Sequence, residues 1–261
     1  MAYQGYSFIF DGVPSQTYGL RIVSFESASY RYEGGSSMEI VRSRAARSLK
    51  TKILSATPAN PLEFEIEVMC EYELGTAQAV LVKDWLFGHL EYKTLQIMRE
   101  DLSGYYFNCL FNDPEDIQIN GNNGWKFKVI CDAGGAWEKP RTLHFVPTSG
   151  GTIVVNNQSG NNDYTYPSVS FTLANDATEV VLTNESDNDR KFSFTGLTGG
   201  ETITIEGDTK ILRSSLGANT NRLGNFNKKF LRLVRGANII KVDGNLSSLD
   251  ITIENFRRLG G

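Results

Sequence analysis

The chain has 261 residues, a formal net charge of −4 and 40% hydrophobic side chains, which is enough apolar material to fill one large or two ordinary domains. The mild negative charge argues against non-specific binding to nucleic acid or to acidic membranes as the main activity. The longest apolar run, Ala79 to Val82, is followed by Lys83 and Asp84, so we expect no membrane insertion. The start of the chain shows no basic region followed by an apolar region, so we expect no signal peptide.

The first predicted elements lie in residues 7–22, SFIFDGVPSQTYGLRI, where two short apolar stretches flank a turn-rich middle. Residues 31–53 then carry a basic excess, with only Glu33 and Glu39 as carboxylates. This segment has no clean amphipathic period and lacks the interleaved aromatic side chains of a nucleic-acid arm. We predict an extended arm or hairpin that docks on protein, with the candidate contact residues Arg42, Arg44, Arg47, Lys50 and Lys52.

A strictly alternating strand follows this arm. One side of the strand consists of Phe64, Ile66, Val68, Cys70 and Tyr72, and the other side of Glu63, Glu65, Glu67, Glu71 and Glu73. Such a period of two predicts a half-buried strand. Five like charges on one face repel each other unless they are screened, so the glutamates form a candidate acidic docking face for the basic arm. The alternative is two separate solvated faces, because exposed ion pairs contribute only about 0–1 kcal/mol each.

Residues 76–87 are predicted to form one helix, with Gly88 as its C-terminal cap. Lys83 and Asp84 lie outside a single apolar stripe, which we expect to cover one face of a sheet. The stripe consists of Ala77, Leu81, Val82, Trp85 and Leu86. Further strands are predicted over residues 92–99, 105–111 and 125–131, with an exposed turn around Pro114 formed by Asp113, Glu115 and Asp116.

The three cysteines, Cys70, Cys109 and Cys131, each lie in an apolar, strand-like run. An odd number of cysteines without short spacing argues against a disulfide framework. We therefore predict buried thiols in a protein made in a reducing cytoplasm.

The composition changes near residues 132–141, and we place a domain boundary there. The chain is predicted to be mainly β, with an N-terminal β domain over residues 1–136 and a C-terminal antiparallel β-sandwich over residues 137–261. Short strands at even spacing, separated by turn-forming residues, are typical of a sandwich. They are predicted over residues 152–155, 168–173, 179–183, 191–194, 201–205, 210–213, 230–234, 238–242 and 250–256.

The sequence shows no local signature of catalysis. His89 and His144 are its only histidines and belong to no metal-binding motif, and no nucleophile elbow, phosphate loop or dinucleotide loop occurs. Asp187 and Asp189 lie in a loop where an EF-hand-type calcium motif would need glycine in place of Phe192. We predict no enzymatic activity, no bound metal and no cofactor.

The second domain has two candidate sugar-contacting residues, Tyr164 and Tyr166, and no tryptophan after Trp137. Exposed aromatic rings are the usual platform for a sugar. Aromatic side chains also bury large areas in cores, and we favour this packing role for both tyrosines.

Several segments resemble the siphophage distal tail protein (Dit) family. FIFDGVPSQTYGLRI resembles that family's N-terminal signature, and YYFNCLFND and GWKFKVICDAGGAW resemble its first-domain strands and boundary tryptophan. YTYPSVSFTL, FTGLTGGETITIEGD and RGANIIKVDGN resemble its sandwich domain. The resemblance covers nearly the whole chain, although no family pattern carries over to the basic arm.

This resemblance implies a structural protein that forms a hexameric ring at the distal end of a long non-contractile phage tail. The first domain would build the ring, with an arm or hairpin that clasps a neighbour, and the second would be a peripheral galectin-like or carbohydrate-module-like sandwich. The ring would join the tail tube protein to a tail-associated hub protein and receptor-binding proteins, and leave a channel for DNA. The implied location is the virion tail tip, after synthesis in the bacterial host cytoplasm. The competing hypothesis is a carbohydrate-binding module that recognises the host cell surface.

Overall fold

The structure is a computed structural model and describes residues 5–25, 38–46, 49–58, 61–119, 121–160, 163–217 and 220–258. The chain divides into two compact units, one of Met1–Lys139 with Arg257–Gly261 and one of Pro140–Phe256. The sequence places the boundary between residues 136 and 137 and assigns the C-terminal residues to the second domain. Arg257 instead belongs to the first unit, where its Nε lies 2.7 Å from Glu138 Oε1.

The first unit is built on one antiparallel sheet. Its strands are β1 (Phe8–Phe10), β2 (Val13–Pro14), β3 (Leu20–Phe25), β6 (Glu63–Cys70), β7 (Lys93–Ile97), β8 (Tyr105–Ile119), β9 (Asn122–Cys131) and β10 (Ala136–Glu138). Their order in the sheet is β2-β1-β7-β8-β9-β6-β3, and β10 also pairs with β8. The predicted alternation is confirmed in β6 for Ile66 and Val68, which are buried. It is not kept to the predicted end, because the strand ends at Cys70, Met69 on the glutamate side is buried and Tyr72 is exposed.

Strand β8 corrects the prediction of an exposed turn around Pro114. The strand continues through this segment, and its register with β9 shifts between Asn112 and Glu115. Asp113 has a φ of 51°, a left-handed conformation that aspartate tolerates better than most residues. The turn-forming residues therefore produce a β-bulge, because the chain on both sides still finds hydrogen-bonding partners in β9.

Helix α1 (Thr76–Phe87) has the predicted bounds, but the predicted apolar stripe is only partly right. Val82 and Leu86 are buried in the core of the first unit, whereas Ala77 is exposed and Leu81 is 59% exposed. At 3.6 residues per turn, Ala77 and Leu81 point away from the side that Val82 and Leu86 occupy. Val82 and Leu86 belong to the same buried core as the aromatic residues Phe8, Phe10 and Trp125 of the sheet.

The basic segment forms a β-hairpin of β4 (Met38–Arg44) and β5 (Thr51–Pro58). Among the described residues, these two strands form a separate two-stranded sheet and pair only with each other. Their register places Arg42 opposite Ile53 and Arg44 opposite Thr51, with a shift between Val41 and Arg42. The hairpin has no clean hydrophobic period because its described side chains are exposed on both faces.

The second unit is a sandwich of two antiparallel sheets. Its strands are β11 (Arg141–Phe145), β12 (Gly151–Asn157), β13 (Ser168–Leu173), β14 (Val180–Asn184), β15 (Arg190–Phe194), β16 (Thr202–Ile205), β17 (Leu212–Ser214), β18 (Gly236–Asp243) and β19 (Leu246–Ile253). The strand orders of the two sheets are β11-β19-β13-β16-β17 and β12-β18-β14-β15. Side chains of both sheets share one core, which includes Val155, Phe171, Phe194 and Ile240. The short strand β20 (Phe256–Arg257) spans the unit boundary.

The predicted strand over residues 230–234 is wrong, although its apolar alternation is real. Leu231 and Leu233 are buried, and Leu233 makes an isolated bridge with Thr165. Neighbouring carbonyl groups accept hydrogen bonds from asparagine side chains: Asn184 Nδ2 lies 2.9 Å from the oxygen of Arg232, and Asn238 Nδ2 lies 2.8 Å from that of Val234. Side chains thus supply the hydrogen bonds to the backbone that a neighbouring strand would otherwise supply.

Candidate assembly surfaces

The hairpin exposes several large apolar side chains among the described residues of the first unit. Leu49 is 94% exposed, Leu54 66% and Ile53 63%. Arg42 and Lys52 are also exposed, and neither forms an ion pair with the residues that the structure describes. Arg44 and Lys50 are exposed as well, whereas Arg47 lies outside the described residues. A two-stranded hairpin without a packed face is only marginally stable by itself.

One face of this hairpin combines charge and apolar surface. Residues directly opposite each other in an antiparallel pair share a face, as do alternate residues of one strand. Ile40, Arg42 and Arg44 therefore lie on the same face as Ile53. We call this the hairpin face.

The acidic strand face is largely neutralised within the chain. Lys126 Nζ lies 2.7 Å from Glu65 Oε2, and Lys128 forms an ion pair with Glu63. Both lysines belong to β9, the neighbour of β6, and their hydrogen bonds to these carboxylates raise the lysine pKa values. Sequence reasoning missed this pairing, although the alternation of the two lysines in GWKFKVIC was the signal that could have revealed it.

The other three glutamates of the predicted face differ in their surroundings. Glu71 forms an ion pair with Arg21, and Glu67 lies near enough to Lys126 to raise the pKa of that lysine. Glu71 and Glu73 follow the end of β6. Glu73 is exposed and forms no ion pair within the described part of the chain.

Helix α1 leaves a second apolar surface uncovered. Val80 is 52% exposed and Leu81 is 59% exposed. The spacing of Ala77, Val80, Leu81 and Asp84 puts all four on one side of the helix, opposite the buried Val82. We call this the helix face.

The two candidate sugar-contacting tyrosines are stacked by cations of their own unit. The guanidinium carbon of Arg232 lies 3.7 Å from the ring centroid of Tyr164, and Lys210 Nζ lies 3.6 Å from that of Tyr166. Arg232 is held in turn by two hydrogen bonds to the buried Asp187, of 2.6 and 3.0 Å. Burial lowers the pKa of Lys210. One face of each ring is thus occupied, while the rings remain 45% and 37% exposed.

Neither histidine lies in a catalytic arrangement of the described residues. His89 Nε2 lies 2.8 Å from the carbonyl oxygen of Trp85, and His144 Nδ1 lies 2.8 Å from Asp250 Oδ1. In the described ranges, no group of three or more histidine, cysteine, aspartate or glutamate residues could hold a metal ion. Within the same ranges, no helix has the length and apolar content needed to cross a membrane.

Two family models match the chain. One is described as the phage tail protein N-terminal domain and matches residues 3–133, and the other is described as the phage tail C-terminal domain and matches residues 136–253. The chain belongs to this family of phage tail proteins. No curated protein matches it significantly.

The fold of this tail protein is that of a solved Dit protein. The crystal structure of SPP1 Dit (gp 19.1) matches with a TM-score of 0.68 and 10% sequence identity. SPP1 Dit is described as a paradigm of the hub adsorption apparatus in phages that infect Gram-positive bacteria. The match covers 95% of this chain and 98% of that chain. It confirms the Dit-like fold that the sequence resemblance implied, and the mainly β architecture with one helix in the first unit.

The predicted site residues of the tail protein thus fall into separate groups. Arg42 and Arg44 share the hairpin face, and Lys52 lies opposite Ser43 on the other face of the hairpin. Three of the five glutamates are paired with cations of the first unit. The helix face was not predicted, because Ala77 and Leu81 were assigned to the apolar stripe that was expected to cover the sheet.

Proposed function

We propose that this tail protein is the hub of the distal tail tip of a phage with a long non-contractile tail. In this proposal it assembles as a hexameric ring that leaves a channel for DNA. The ring joins the tail tube protein to a tail-associated hub protein and to receptor-binding proteins. The observation that carries the proposal is the likeness of fold to SPP1 Dit over nearly the full length of both chains, within a family of phage tail proteins.

The hairpin supports an assembly role. A cyclic oligomer uses heterologous contacts, in which one surface of each copy fits a different surface of the next. The hairpin exposes Leu49, Ile53 and Leu54 together with basic side chains, and surface of this kind is usually covered by a partner. We infer that the hairpin is the inter-subunit arm, with Arg42, Arg44, Arg47, Lys50 and Lys52 as its basic contact residues.

The acceptor of the arm is proposed to be acidic surface of the neighbouring first unit. The glutamates at positions 63, 65, 67, 71 and 73 were the candidate acidic face. Because Glu63, Glu65 and Glu71 already have cationic partners, an incoming arginine would have to compete with Lys128, Lys126 and Arg21. Electrostatic matching of this kind contributes register and specificity more than affinity.

The second unit is proposed to be a peripheral module without catalytic activity. A carbohydrate-binding module is the competing function, with Tyr164 and Tyr166 as its contacts. The cations stacked on these two rings favour a packing role, because they leave at most one face of each ring for a sugar. Cell-wall hydrolysis by the pure protein that is abolished by His89→Ala or His144→Ala would contradict the non-enzymatic role.

Native mass spectrometry and light scattering of the purified full chain test the ring. We expect a species of six copies, seen by electron microscopy as a ring with sixfold symmetry and a central opening. A protein that remains a monomer at the highest soluble concentration would contradict the ring. A monomer that binds cell-surface glycans and loses this binding in Tyr164→Ala would establish the competing module instead.

A further inference from the structure

Helix α1 and the hairpin each have a face with exposed apolar side chains that no described residue covers. Val80 and Leu81 are exposed on the helix face, and Ile40 and Ile53 are exposed on the hairpin face by 40% and 63%. Both surfaces belong to the first unit. Burial of such side chains is favourable by roughly 25 cal/mol per Å² of apolar surface removed from water, so a contact between them would supply affinity that charges alone lack.

The charges of the two faces are complementary. The hairpin face carries Arg42 and Arg44. The helix face carries Asp84, and Glu73 lies just before the start of the helix. Asp84, Glu73 and Arg42 form no ion pair with any residue that the structure describes.

The acidic strand face differs from the helix face both in its apolar surface and in the pairing of its charges. Its glutamates at positions 63 and 65 are paired with lysines of β9, and Met69, the apolar residue on the glutamate side of β6, is buried. Glu67, on the same strand, is partly buried and contributes to the electrostatic environment of Lys126. The strand face therefore offers neither apolar surface for the isoleucines of the hairpin face nor enough unpaired carboxylates for its arginines.

We propose that the hairpin face of one copy docks on the helix face of the next copy, with Ile53 against Leu81 and Arg42 beside Asp84. This inference rests on the ring assembly proposed above and names the surface that accepts the arm. Each copy donates one hairpin and presents one helix, so the contact is heterologous and can close a ring. The apolar pairs supply affinity, and the Arg42–Asp84 pair sets the register.

Charge reversal and its rescue test this contact in the full-length protein. Arg42→Asp alone and Asp84→Arg alone should each raise, by about tenfold or more, the concentration at which half of the chains are assembled. The double variant should recover assembly, because the pair is restored with its charges exchanged. Circular dichroism and thermal unfolding should show every variant folded like the parent, since both side chains are exposed.

The matched control places the rescuing charge on the strand face. Glu67→Arg combined with Arg42→Asp should not recover assembly. Recovery by Glu67→Arg without recovery by Asp84→Arg would assign the arm to the strand face and overturn our proposal. Unchanged assembly in both single variants would overturn it as well.

A cysteine cross-link tests the apolar half of the contact. Ile53→Cys combined with Leu81→Cys should give covalent oligomers up to the hexamer on a non-reducing gel after mild oxidation, whereas either substitution alone should not. A wild-type ring without cross-linking in the double variant would overturn the contact and leave the ring intact. A wild-type protein without any ring would contradict the proposed function itself, so the two failures are distinguishable.

Discussion

Arg222 binds both carboxylate oxygens of Glu201, with Nε 2.8 Å from Oε1 and Nη2 2.8 Å from Oε2. The Glu201 side chain is fully buried, and it also accepts hydrogen bonds from Ser214 Oγ at 2.6 Å and from the backbone nitrogen of Thr198 at 2.9 Å. Burial alone would raise the pKa of Glu201, but the hydrogen bonds from Arg222, Ser214 and Thr198 outweigh it and lower the pKa. This carboxylate therefore ties three segments of the sandwich together.

Glu201→Gln should destabilise the second unit by about 3–5 kcal/mol, because it leaves Arg222 without its buried counter-charge. Glu206→Gln is the matched control, since Glu206 follows β16 just as Glu201 precedes it and pairs with Arg213 at the surface, and it should change the unfolding midpoint far less. The lowered pKa also means that the stability from Glu201 is present above the unfolded pKa and is lost as the pH falls through the folded value. Urea unfolding at neutral and acidic pH measures both effects, and equal midpoints for the two variants would contradict this role.

Reversal of the basic arm should weaken assembly. Arg42→Glu, Arg44→Glu and Arg47→Glu together should shift assemblies toward smaller species without unfolding the monomer, because each missing charge is repeated at every junction of a closed ring. Raised salt should act in the same direction. The measurement is native mass spectrometry of parent and variant at equal concentration.

The control for the arm carries the same change of net charge elsewhere. Lys191, Lys228 and Lys229 are exposed residues of the second unit, and their reversal to glutamate should leave the assembly state unchanged. Equal loss of assembly in both triple variants would show that only net charge matters, and it would contradict a specific arm.

The native thiols should be inert toward thiol reagents at pH 8. Burial raises the pKa of Cys70 and of Cys131 to about 12, and it raises the pKa of Cys109 as well. Because the thiolate is the reactive form, labelling should occur only after denaturation. Ala45→Cys adds an exposed thiol on the hairpin and should react at once, whereas rapid labelling of the native parent would contradict the burial.

The same thiols predict a loss of stability at alkaline pH. An unfolded thiol ionises near pH 8.5, whereas the folded thiols hold their protons to much higher pH. Between these limits the unfolded state binds fewer protons, so the free energy of unfolding falls as the pH rises. Urea unfolding between pH 8 and 10 should show this decline, and Cys70→Ala should make it shallower.

Removal of either stacked tyrosine should affect stability rather than sugar binding. Tyr166→Ala removes the ring beneath Lys210 and should cost about 0.5–1 kcal/mol, whereas Tyr166→Phe keeps the ring and should cost less. Glycan arrays and calorimetry with simple sugars should show weak binding or none for the parent. Strong binding that disappears in Tyr164→Ala or Tyr166→Ala would establish a sugar site.

The local sequence pattern was sufficient to predict the bounds of several elements. The bounds of helix α1 and the strand Ser168–Leu173 are as predicted, because their periodicity and flanking turn residues are local properties. The strand predicted over residues 230–234 failed because Leu231 and Leu233 alternate as in a strand while asparagine side chains take the carbonyl hydrogen bonds. The alternation predicts which side chains are buried, but it does not predict which groups form hydrogen bonds with the backbone.

The sequence by itself determined the mainly β composition, the basic excess of the arm and the alternation of glutamates with apolar residues in β6. Only the tertiary structure decided that Lys126 and Lys128 lie beside Glu65 and Glu63, because the partner of a strand depends on the order of strands in the sheet. It also decided which side of helix α1 is buried, since several sides of this helix carry apolar residues. Only the structure therefore shows that Val82 and Leu86 are buried in the core and that Val80 and Leu81 form an exposed surface.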